Sequence, residues 1–269
     1  MIRGLGIFAV LVIVIGMAAN QAQPRVFAIP IFASAQVTWM KKPFFGDAVQ
    51  QQEVQLQAGS AFLLDQGKDR DPVLITARHC IDFPVKDSDA ALAPNCKVKP
   101  SSVTRLVTGL ALAVNDDSVH CHPDPKADFA VLYLTKEQVR LIDADLAPAR
   151  FPKGQPKVNT RVSVWGYPIA LVVNGLETVG AQTSISLEIT EVKADGVIVA
   201  RRVDGQVMEA GFSGGPMIDK DNNVVGVITS MDSKKNRDIC YGRSIELFDD
   251  ANRNNAAAPE GAAVRNPKK

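Results

Sequence analysis

The sequence carries almost no net charge. Its 269 residues include 30 Lys and Arg against 29 Asp and Glu, which leaves a formal charge of +1 at pH 7. A chain balanced in this way has no electrostatic reason to bind nucleic acid or anionic lipid, and we expect neither as a partner. Charged residues are 22% and apolar residues 46% of the chain, as in an ordinary globular protein.

The sequence also lacks an apolar run long enough to cross a bilayer. Leu5–Met17 is uncharged but has only 13 residues, whereas a spanning helix needs about 20. With Arg3 before it and small residues up to Ala22 after it, the run is typical of an export signal. We predict a signal peptide over residues 1–22 and a secreted or periplasmic protein that is free of the membrane after cleavage. An uncleaved anchor and a buried core segment are the alternatives.

Cysteine and histidine are both scarce. The cysteines are Cys80, Cys96, Cys121 and Cys240. In an exported chain this even count predicts two disulfides, and the sequence leaves all three pairings open. His120-Cys121-His122 offers zinc ligands as an alternative, but no C-x-x-C or H-x3-H spacing supports that site. We expect no metal and no cofactor.

Helical periodicity is rare, whereas short strand patterns are frequent. Ser184–Val192 alternates apolar and polar residues, and Ala61–Leu64 and Val73–Thr76 are short apolar runs between turn residues. Many short strands separated by turn signals predict an all-β fold, either a sandwich or a pair of barrels.

Composition suggests four parts along the chain. They are the signal peptide (1–22), an N-terminal extension (23–50), one β domain (51–253) and a tail (254–269). The tail is small, polar and broken by proline, so we expect it to be disordered.

Three segments carry residues suited to nucleophilic catalysis. Gly211-Phe212-Ser213-Gly214-Gly215-Pro216 would project the hydroxyl of Ser213 from a tight glycine-flanked turn. His79 follows an apolar strand in the segment Leu74-Ile75-Thr76-Ala77-Arg78-His79-Cys80, and Asp128 opens the apolar segment Phe129–Leu132. A serine nucleophile needs a histidine base and an acid that orients it, and these segments supply one of each.

Together, the segments T-A-R-H-C, D-F-A-V-L and G-F-S-G-G-P resemble the motifs of the trypsin-like serine peptidases, over roughly residues 55–248. The resemblance implies two packed six-stranded antiparallel β-barrels with the active site between them. It implies polypeptide substrates and a serine endopeptidase activity with His79, Asp128 and Ser213 as the triad. The amides of Gly211 and Ser213 would form the oxyanion hole.

The resemblance also implies a substrate-binding side. Val207 would lie at the floor of the pocket for the residue before the scissile bond, and Tyr241-Gly242 would line its far wall. Thr229, Ser230 and Met231 would lie beside the substrate, with the Thr229 hydroxyl supporting the acid. Gly59-Ser60-Ala61-Phe62 matches the small-residue strand that precedes the histidine strand.

Two residues depart from the digestive members of that family. Phe212 stands where those enzymes have an aspartate that pairs with a newly freed N-terminus, so we expect no such activation switch. In this respect the chain is similar to bacterial members, including periplasmic quality-control proteases. Val207 is neutral, which favours a small or apolar residue over Arg or Lys in the pocket.

Two other functions are alternatives. A lipase or esterase would share the G-x-S-x-G pattern but requires a histidine after the serine, and all three histidines precede Ser213. His120 and His122 are alternative bases, but they lie before a Pro-Asp-Pro loop rather than at a strand end. A latent or inactive protease-like module that binds peptides is the second alternative, because a fold can keep its groove without its chemistry.

Overall fold

The computed structural model describes most of the chain between residues 28 and 248. The described ranges are 28–41, 49–67, 70–82, 100–105, 110–112, 118–143, 148–151, 154–172, 176–179, 181–206, 208–232 and 238–248. The predicted signal peptide and tail lie outside them, as do Val207 and Cys96. Within these ranges, no helix has the length and apolar character needed to traverse a membrane.

Eight strands of the N-terminal half form one sheet. They are β1 (Ile29–Lys41), β2 (Val49–Asp65), β3 (Val73–Thr76), β4 (Pro100–Arg105), β5 (Leu110–Leu112), β6 (Val119–Cys121), β7 (Ala130–Tyr133) and β8 (Ala149–Arg150). The order across the sheet is β5-β4-β1-β2-β3-β7-β6, and β8 pairs with β2 in parallel. An α-helix, Lys136–Asp143, follows β7.

The C-terminal half closes into a six-stranded barrel. Its strands are β9 (Arg161–Gly166), β12 (Thr183–Val192), β13 (Val197–Arg202), β14 (Pro216–Ile218), β15 (Val224–Met231) and β16 (Ile239–Ser244). A separate hairpin joins β10 (Ile169–Val172) to β11 (Leu176–Val179). The predicted all-β fold class is confirmed, since strands dominate and six of them form a closed barrel. The first unit has eight strands in one sheet, however, where the sequence analysis expected a six-stranded barrel.

The apolar runs of β2, β3 and β7 are continuous because both faces of the first sheet are covered. Successive side chains on a strand point to opposite faces. Leu63 and Leu74 pack into the core of the first unit, whereas Phe62 and Ile75 pack towards the second. β12 instead alternates, because one of its faces lines the barrel interior and the other meets solvent.

A shared apolar cluster joins the two units. Phe62, Ile75 and Val131 from the first sheet pack with Val227 and Phe248 from the second unit. This cluster is distinct from the interior of the barrel, where Phe212 and Cys240 are buried. The residues near the boundary between the units are therefore held by packing on both sides.

Part of the segment assigned to an N-terminal extension belongs to the first sheet. β1 pairs with β2 in an unbroken antiparallel register from Ile29 opposite Ala61 to Lys41 opposite Val49. It also pairs with β4, so it lies inside the sheet rather than at its edge. The first sheet thus begins before residue 51, where the sequence analysis began the domain.

Candidate active site

His79 lies in a single 3₁₀ turn, Arg78–Cys80, immediately after β3. The turn is closed by hydrogen bonds from the N–H of Cys80 to the Ala77 carbonyl (3.0 Å) and from Ile81 to Arg78 (3.0 Å). Cys80 is fully buried and anchors the turn, while the side chain of His79 remains 44% exposed. The imidazole is thereby held at the surface of a rigid element.

Asp128 is placed beside His79 by strand pairing. β3 and β7 are antiparallel, with Thr76 opposite Ala130, so the residues after β3 and before β7 meet at one edge. Asp128 follows the 3₁₀ turn Pro125–Ala127, in which the Lys126 N–H donates to the Asp124 carboxylate, and it adopts a left-handed conformation (φ 49°). A non-glycine residue in this conformation is uncommon and is found where the surroundings enforce it.

The Asp128 carboxylate holds His79 at two points. Oδ2 lies 2.8 Å from Nδ1 of the ring, and Oδ1 accepts the backbone N–H of His79 at 2.9 Å. Burial alone would lower the pKa of His79, but its hydrogen bonds to Asp128 and Cys80 outweigh burial and raise the pKa to about 10. The arrangement therefore favours the protonated form of the ring.

Ser213 belongs to a turn between Gly211 and Gly215 that precedes β14. The Gly215 N–H donates to the Phe212 carbonyl (2.9 Å) and closes the turn. Gly211 and Gly214 have positive φ (101° and 86°), which glycine adopts at little cost. Among the described residues, neither the Gly211 nor the Ser213 amide N–H has a hydrogen-bond partner.

The structure brings the serine and the histidine together without joining them. The Ser213 hydroxyl donates to the Thr229 carbonyl (3.1 Å) instead of to His79. The Cys80 sulfur lies 3.7 Å from Nε2 of His79 and 3.5 Å from the Ser213 carbonyl oxygen, so one thiol contacts both residues. Base and nucleophile are therefore neighbours, each engaged with another partner.

Phe212 occupies the barrel interior and is 1% exposed. A Cβ on Gly166 would lie 2.8 Å from its ring, so the ring fills the space that this glycine leaves. The side chain at this position thus stabilises the turn by apolar packing, where an aspartate would need a buried cation.

Of the predicted substrate-side residues, Thr229, Ser230 and Met231 lie on β15, whereas Tyr241 and Gly242 lie on β16. Val207 lies outside the described residues. Thr229 is 8% exposed, and Ser230 is exposed to solvent. The expectation that the Thr229 hydroxyl supports the acid is wrong, because that hydroxyl donates to the Tyr241 carbonyl (3.3 Å). Thr229 lies at a register shift between Ile228 and Ser230 in the pairing of β15 with β16, the strand that carries Tyr241.

The expected pair of disulfides is contradicted. Cys80, Cys121 and Cys240 are free thiols, and two disulfides among four cysteines would require a bond between two of these three. Cys240 is buried in the barrel interior, whereas Cys80 and Cys121 belong to the first unit. Burial, with smaller effects from nearby charges, raises the pKa of Cys121 and of Cys240 to about 11.

The alternative roles weighed for the other histidines find no support in the geometry. The His120 ring packs against Tyr133, with centroids 4.6 Å apart. Nδ1 of His122 accepts the N–H of Asp124 at 3.1 Å, within the turn that precedes Asp128. In the part of the chain that the structure describes, no group of three or more His, Cys, Asp or Glu side chains could hold a metal ion.

Sequence reasoning missed Ser60 as part of this site. Ser60 is fully buried in β2, yet its hydroxyl donates to the Gly211 carbonyl (2.7 Å) and its N–H to the Ser213 carbonyl (2.7 Å). The signals in the sequence are a small polar residue in an apolar strand and the match of Gly59-Ser60-Ala61-Phe62 to the strand that precedes the histidine strand. These signals do not show which loop the hydroxyl would reach, because the partner lies about 150 residues away along the chain.

Comparison with known proteins gives one family and several similar folds. The model of the trypsin-like peptidase domain matches residues 59–227, whereas no curated protein sequence matches the chain. The solved structure of the HtrA-type protease AlgW with a decapeptide is 18% identical, with a TM-score of 0.50 over 82% of this chain and 60% of that chain. The Rv3671c protease of M. tuberculosis in its active form is 17% identical, with a TM-score of 0.45 over 81% of this chain and 78% of that chain. A serine endoprotease from Yersinia pestis is 14% identical, with a TM-score of 0.46 over 81% of this chain and 60% of that chain.

Proposed function

The chain belongs to the trypsin-like peptidase family, and from that premise we propose that it is a serine endopeptidase acting on polypeptides. One observation carries the proposal. The paired Asp128 and His79 lie beside a glycine-flanked serine turn in which two amide N–H groups have no partner among the described residues. Such a set of groups suits acyl transfer to a serine hydroxyl.

Each residue has a defined role in the proposed reaction. Ser213 attacks the scissile carbonyl as His79 takes its proton, and Asp128 holds the ring and stabilises the imidazolium. The amides of Gly211 and Ser213 donate to the oxyanion of the tetrahedral intermediate. His79 then protonates the leaving amine, and water that His79 activates hydrolyses the acyl-enzyme.

Two changes precede the first step of this reaction. The Ser213 hydroxyl must turn from the Thr229 carbonyl towards Nε2 of His79, since a base accepts only a proton within hydrogen-bond reach. The ring must also lose the proton that its partners favour. Binding of a peptide beside β15 would compete for the Thr229 carbonyl and thereby release the hydroxyl.

The same two contacts favour a second candidate function. A protein whose serine stays bonded to Thr229 and whose histidine stays protonated would bind peptides without cleaving them. This latent or inactive module would share the family and the fold, and it would differ only in chemistry.

A fluorophosphonate probe separates the two candidates, because it reacts only with an activated serine. The purified protein is treated beside the variants Ser213→Ala and His79→Ala. Labelling of the wild type alone supports the endopeptidase. If the wild-type protein is folded but stays unlabelled, as the two variants do, the result supports the binding module instead. Peptide binding is then measured by calorimetry.

We propose that the protein is exported and that its signal peptide is cut before Ala28. Ala28, Ile29 and Ile31 are 0–2% exposed. Ala33-Ser34-Ala35 matches the A-x-A pattern of a cleavage site better than the residues near Ala22 do, but it lies within β1. Cleavage there would divide a paired strand, so a cut nearer Ala22 leaves the sheet whole. N-terminal sequencing of the mature protein tests this, and a first residue after Ala28 would refute it.

A further inference from the structure

Ser60 connects the first sheet to the serine turn of the second unit. Its hydroxyl donates to the Gly211 carbonyl and its amide N–H donates to the Ser213 carbonyl, both at 2.7 Å. Its own carbonyl accepts the Thr76 hydroxyl (2.8 Å), so each of its polar groups is bonded. A single residue of β2 therefore holds both ends of the turn Gly211–Ser213.

The direction of the Ser60 hydroxyl is fixed. The backbone N–H of Tyr167 donates to the same oxygen at 3.1 Å. Since a hydroxyl has one proton to donate, that proton goes to the Gly211 carbonyl while the oxygen accepts from Tyr167. Ser60 is 0% exposed, so water does not compete for either bond.

The contact depends on an unusually close approach of the two backbones. A Cβ on Gly59 would lie 2.7 Å from the Ser213 carbonyl oxygen, and one on Gly214 would lie 2.0 Å from the Ser60 carbonyl oxygen. Glycines at both positions let the chains approach within hydrogen-bond distance. The two units are thus in direct backbone contact at the serine turn.

The carbonyls that Ser60 binds belong to the two residues whose amide N–H groups have no partner in the described part of the chain. Ser60 thereby holds the Gly211–Phe212 and Ser213–Gly214 peptide planes. The Ser213 amide lies in the plane between them, which the Gly215 N–H also holds through the Phe212 carbonyl. The Gly211 amide lies in the plane just before them, so hydrogen-bonded neighbours restrict the rotation of both free amides. Donors that point at a developing oxyanion are useful only if their direction is fixed beforehand.

We propose that Ser60 is a positioning residue for the oxyanion hole, acting from the first unit on the Gly211 and Ser213 amides. This inference rests on the proposed function, since it assigns those amides to the oxyanion. It makes stabilisation of the transition state depend on the docking of the two units. Ser60 itself does not contact the reacting atoms.

The test compares Ser60→Ala with Ser244→Ala. Ser244 is also buried (2% exposed), but its hydroxyl accepts the Glu246 N–H and lies on β16, so it controls for loss of a buried hydroxyl. Removing one oxyanion donor outright costs about a hundredfold to a thousandfold in kcat. Ser60→Ala leaves the donors present but less well directed, so we expect kcat to fall about tenfold to a hundredfold with KM within about twofold. Ser244→Ala should keep the wild-type kcat.

A second readout does not depend on activity. Hydrogen exchange of residues 209–215, followed by mass spectrometry, should accelerate in Ser60→Ala and stay unchanged in Ser244→Ala. If the wild type hydrolyses no peptide, the proposed function fails, and the exchange rates still show whether Ser60 fixes the turn.

Three results would overturn the role of Ser60. They are a kcat within about twofold of the wild type, an equal loss in Ser244→Ala, and unchanged exchange across residues 209–215. If Ser60→Ala does not fold, Ser60→Cys replaces it, because a thiol keeps a weak donor at the same unbranched position. Its kcat should lie below that of the wild type, and equality with the wild type would contradict the proposal.

Discussion

His79 has a hydrogen-bond partner at each ring nitrogen, and neither partner is Ser213. Asp128 binds Nδ1, and the Cys80 sulfur lies near Nε2. Both contacts favour the protonated ring and so oppose the loss of a proton from the residue that is expected to act as the base. The state of this one ring therefore governs how activity depends on pH.

The first prediction concerns Cys80. Because its hydrogen bond helps to raise the pKa of His79 to about 10, the pH profile of kcat/KM should keep rising into the alkaline range. Cys80→Ala should move the midpoint of that rise to lower pH. The control is Cys240→Ala, whose thiol is buried in the barrel interior away from the ring. Identical midpoints in wild type and Cys80→Ala would contradict this account.

The second prediction concerns Asp128→Asn. The folded-state pKa of His79 is about 10 against an ordinary value of 6.5, so the protonated ring stabilises the fold fully below pH 6.5. That contribution is lost as the pH rises through about 10. We therefore expect the difference in free energy of unfolding between the wild type and Asp128→Asn to become smaller as the pH rises from 6.5 to about 10. Urea unfolding at several pH values measures this difference. Turnover of the variant should fall by about three to four orders of magnitude. A stability difference that does not change with pH would refute the assignment.

At the scale of elements, the serine turn is set by what lies against it. Gly215 packs on β9, where a Cβ would come within 2.1 Å of the Trp165 carbonyl oxygen, and Gly214 packs on β2. The glycines around Ser213 thus serve close packing as well as turn geometry. The turn keeps its shape because the two neighbouring strands, β9 and β2, leave no room for another backbone conformation.

The third prediction compares two glycines with positive φ. A Cβ at Gly214 (φ 86°) would lie 2.0 Å from the Ser60 carbonyl oxygen and 2.3 Å from the Thr76 hydroxyl. At Gly205 (φ 72°) nothing lies within 4 Å. We expect Gly214→Ala to cost about 3 kcal/mol or more and to abolish activity, since strain and a backbone clash add. Gly205→Ala should cost about 1 kcal/mol from strain alone. Equal melting temperatures for the two variants would contradict the role of close packing.

Several of these elements were predictable from sequence. The predicted run Val73–Thr76 has the same bounds as β3, and the predicted strand Ser184–Val192 lies within β12. Both could be predicted because apolar runs and alternation of apolar and polar residues reflect burial directly. The residues of β1 were assigned to an N-terminal extension, because the segment contains prolines such as Pro30 and its sequence shows no clear period-2 alternation. Pro30 is tolerated there because the pairing of β1 with β4 begins only at Ala33.

The candidate site was only partly predictable. His79 and Asp128 each lie beside a strand end, so their neighbouring positions followed from motifs and pairing rules. The partners of Ser60, Thr229 and the Ser213 hydroxyl could not be predicted, because each bond joins elements far apart in sequence at a distance fixed by packing. Such contacts depend on register and on the approach of two backbones, and neither is encoded in local composition.

At the scale of the whole molecule, the shared cluster makes the two units interdependent. Phe248 is 1% exposed, and its ring packs against Phe151 with centroids 5.2 Å apart. In the same cluster it joins residues of β2, β3 and β7. Neither unit can bury these side chains by itself, so we expect both to unfold in one transition.

The fourth prediction tests that interdependence. Phe248→Ala should lower the free energy of unfolding by about 3 to 5 kcal/mol, because it leaves a cavity in the shared cluster. Tryptophan fluorescence and circular dichroism should report one common, lower melting temperature. The control is Leu141→Ala on the exposed face of the α-helix, where the side chain is 48% exposed and its loss should change little. Separate transitions for the two signals would contradict the shared cluster.

The position of β1 determines how far the chain can be shortened. The matched family domain starts at residue 59, but a protein trimmed to that boundary would lose β1 and half of β2. β4 and β5 would then have no strand joining them to the remaining sheet, and β2 would present a bare row of backbone donors and acceptors. Exposed strand edges recruit other chains, so such a fragment would aggregate during expression, and useful recombinant versions must begin ahead of residue 28.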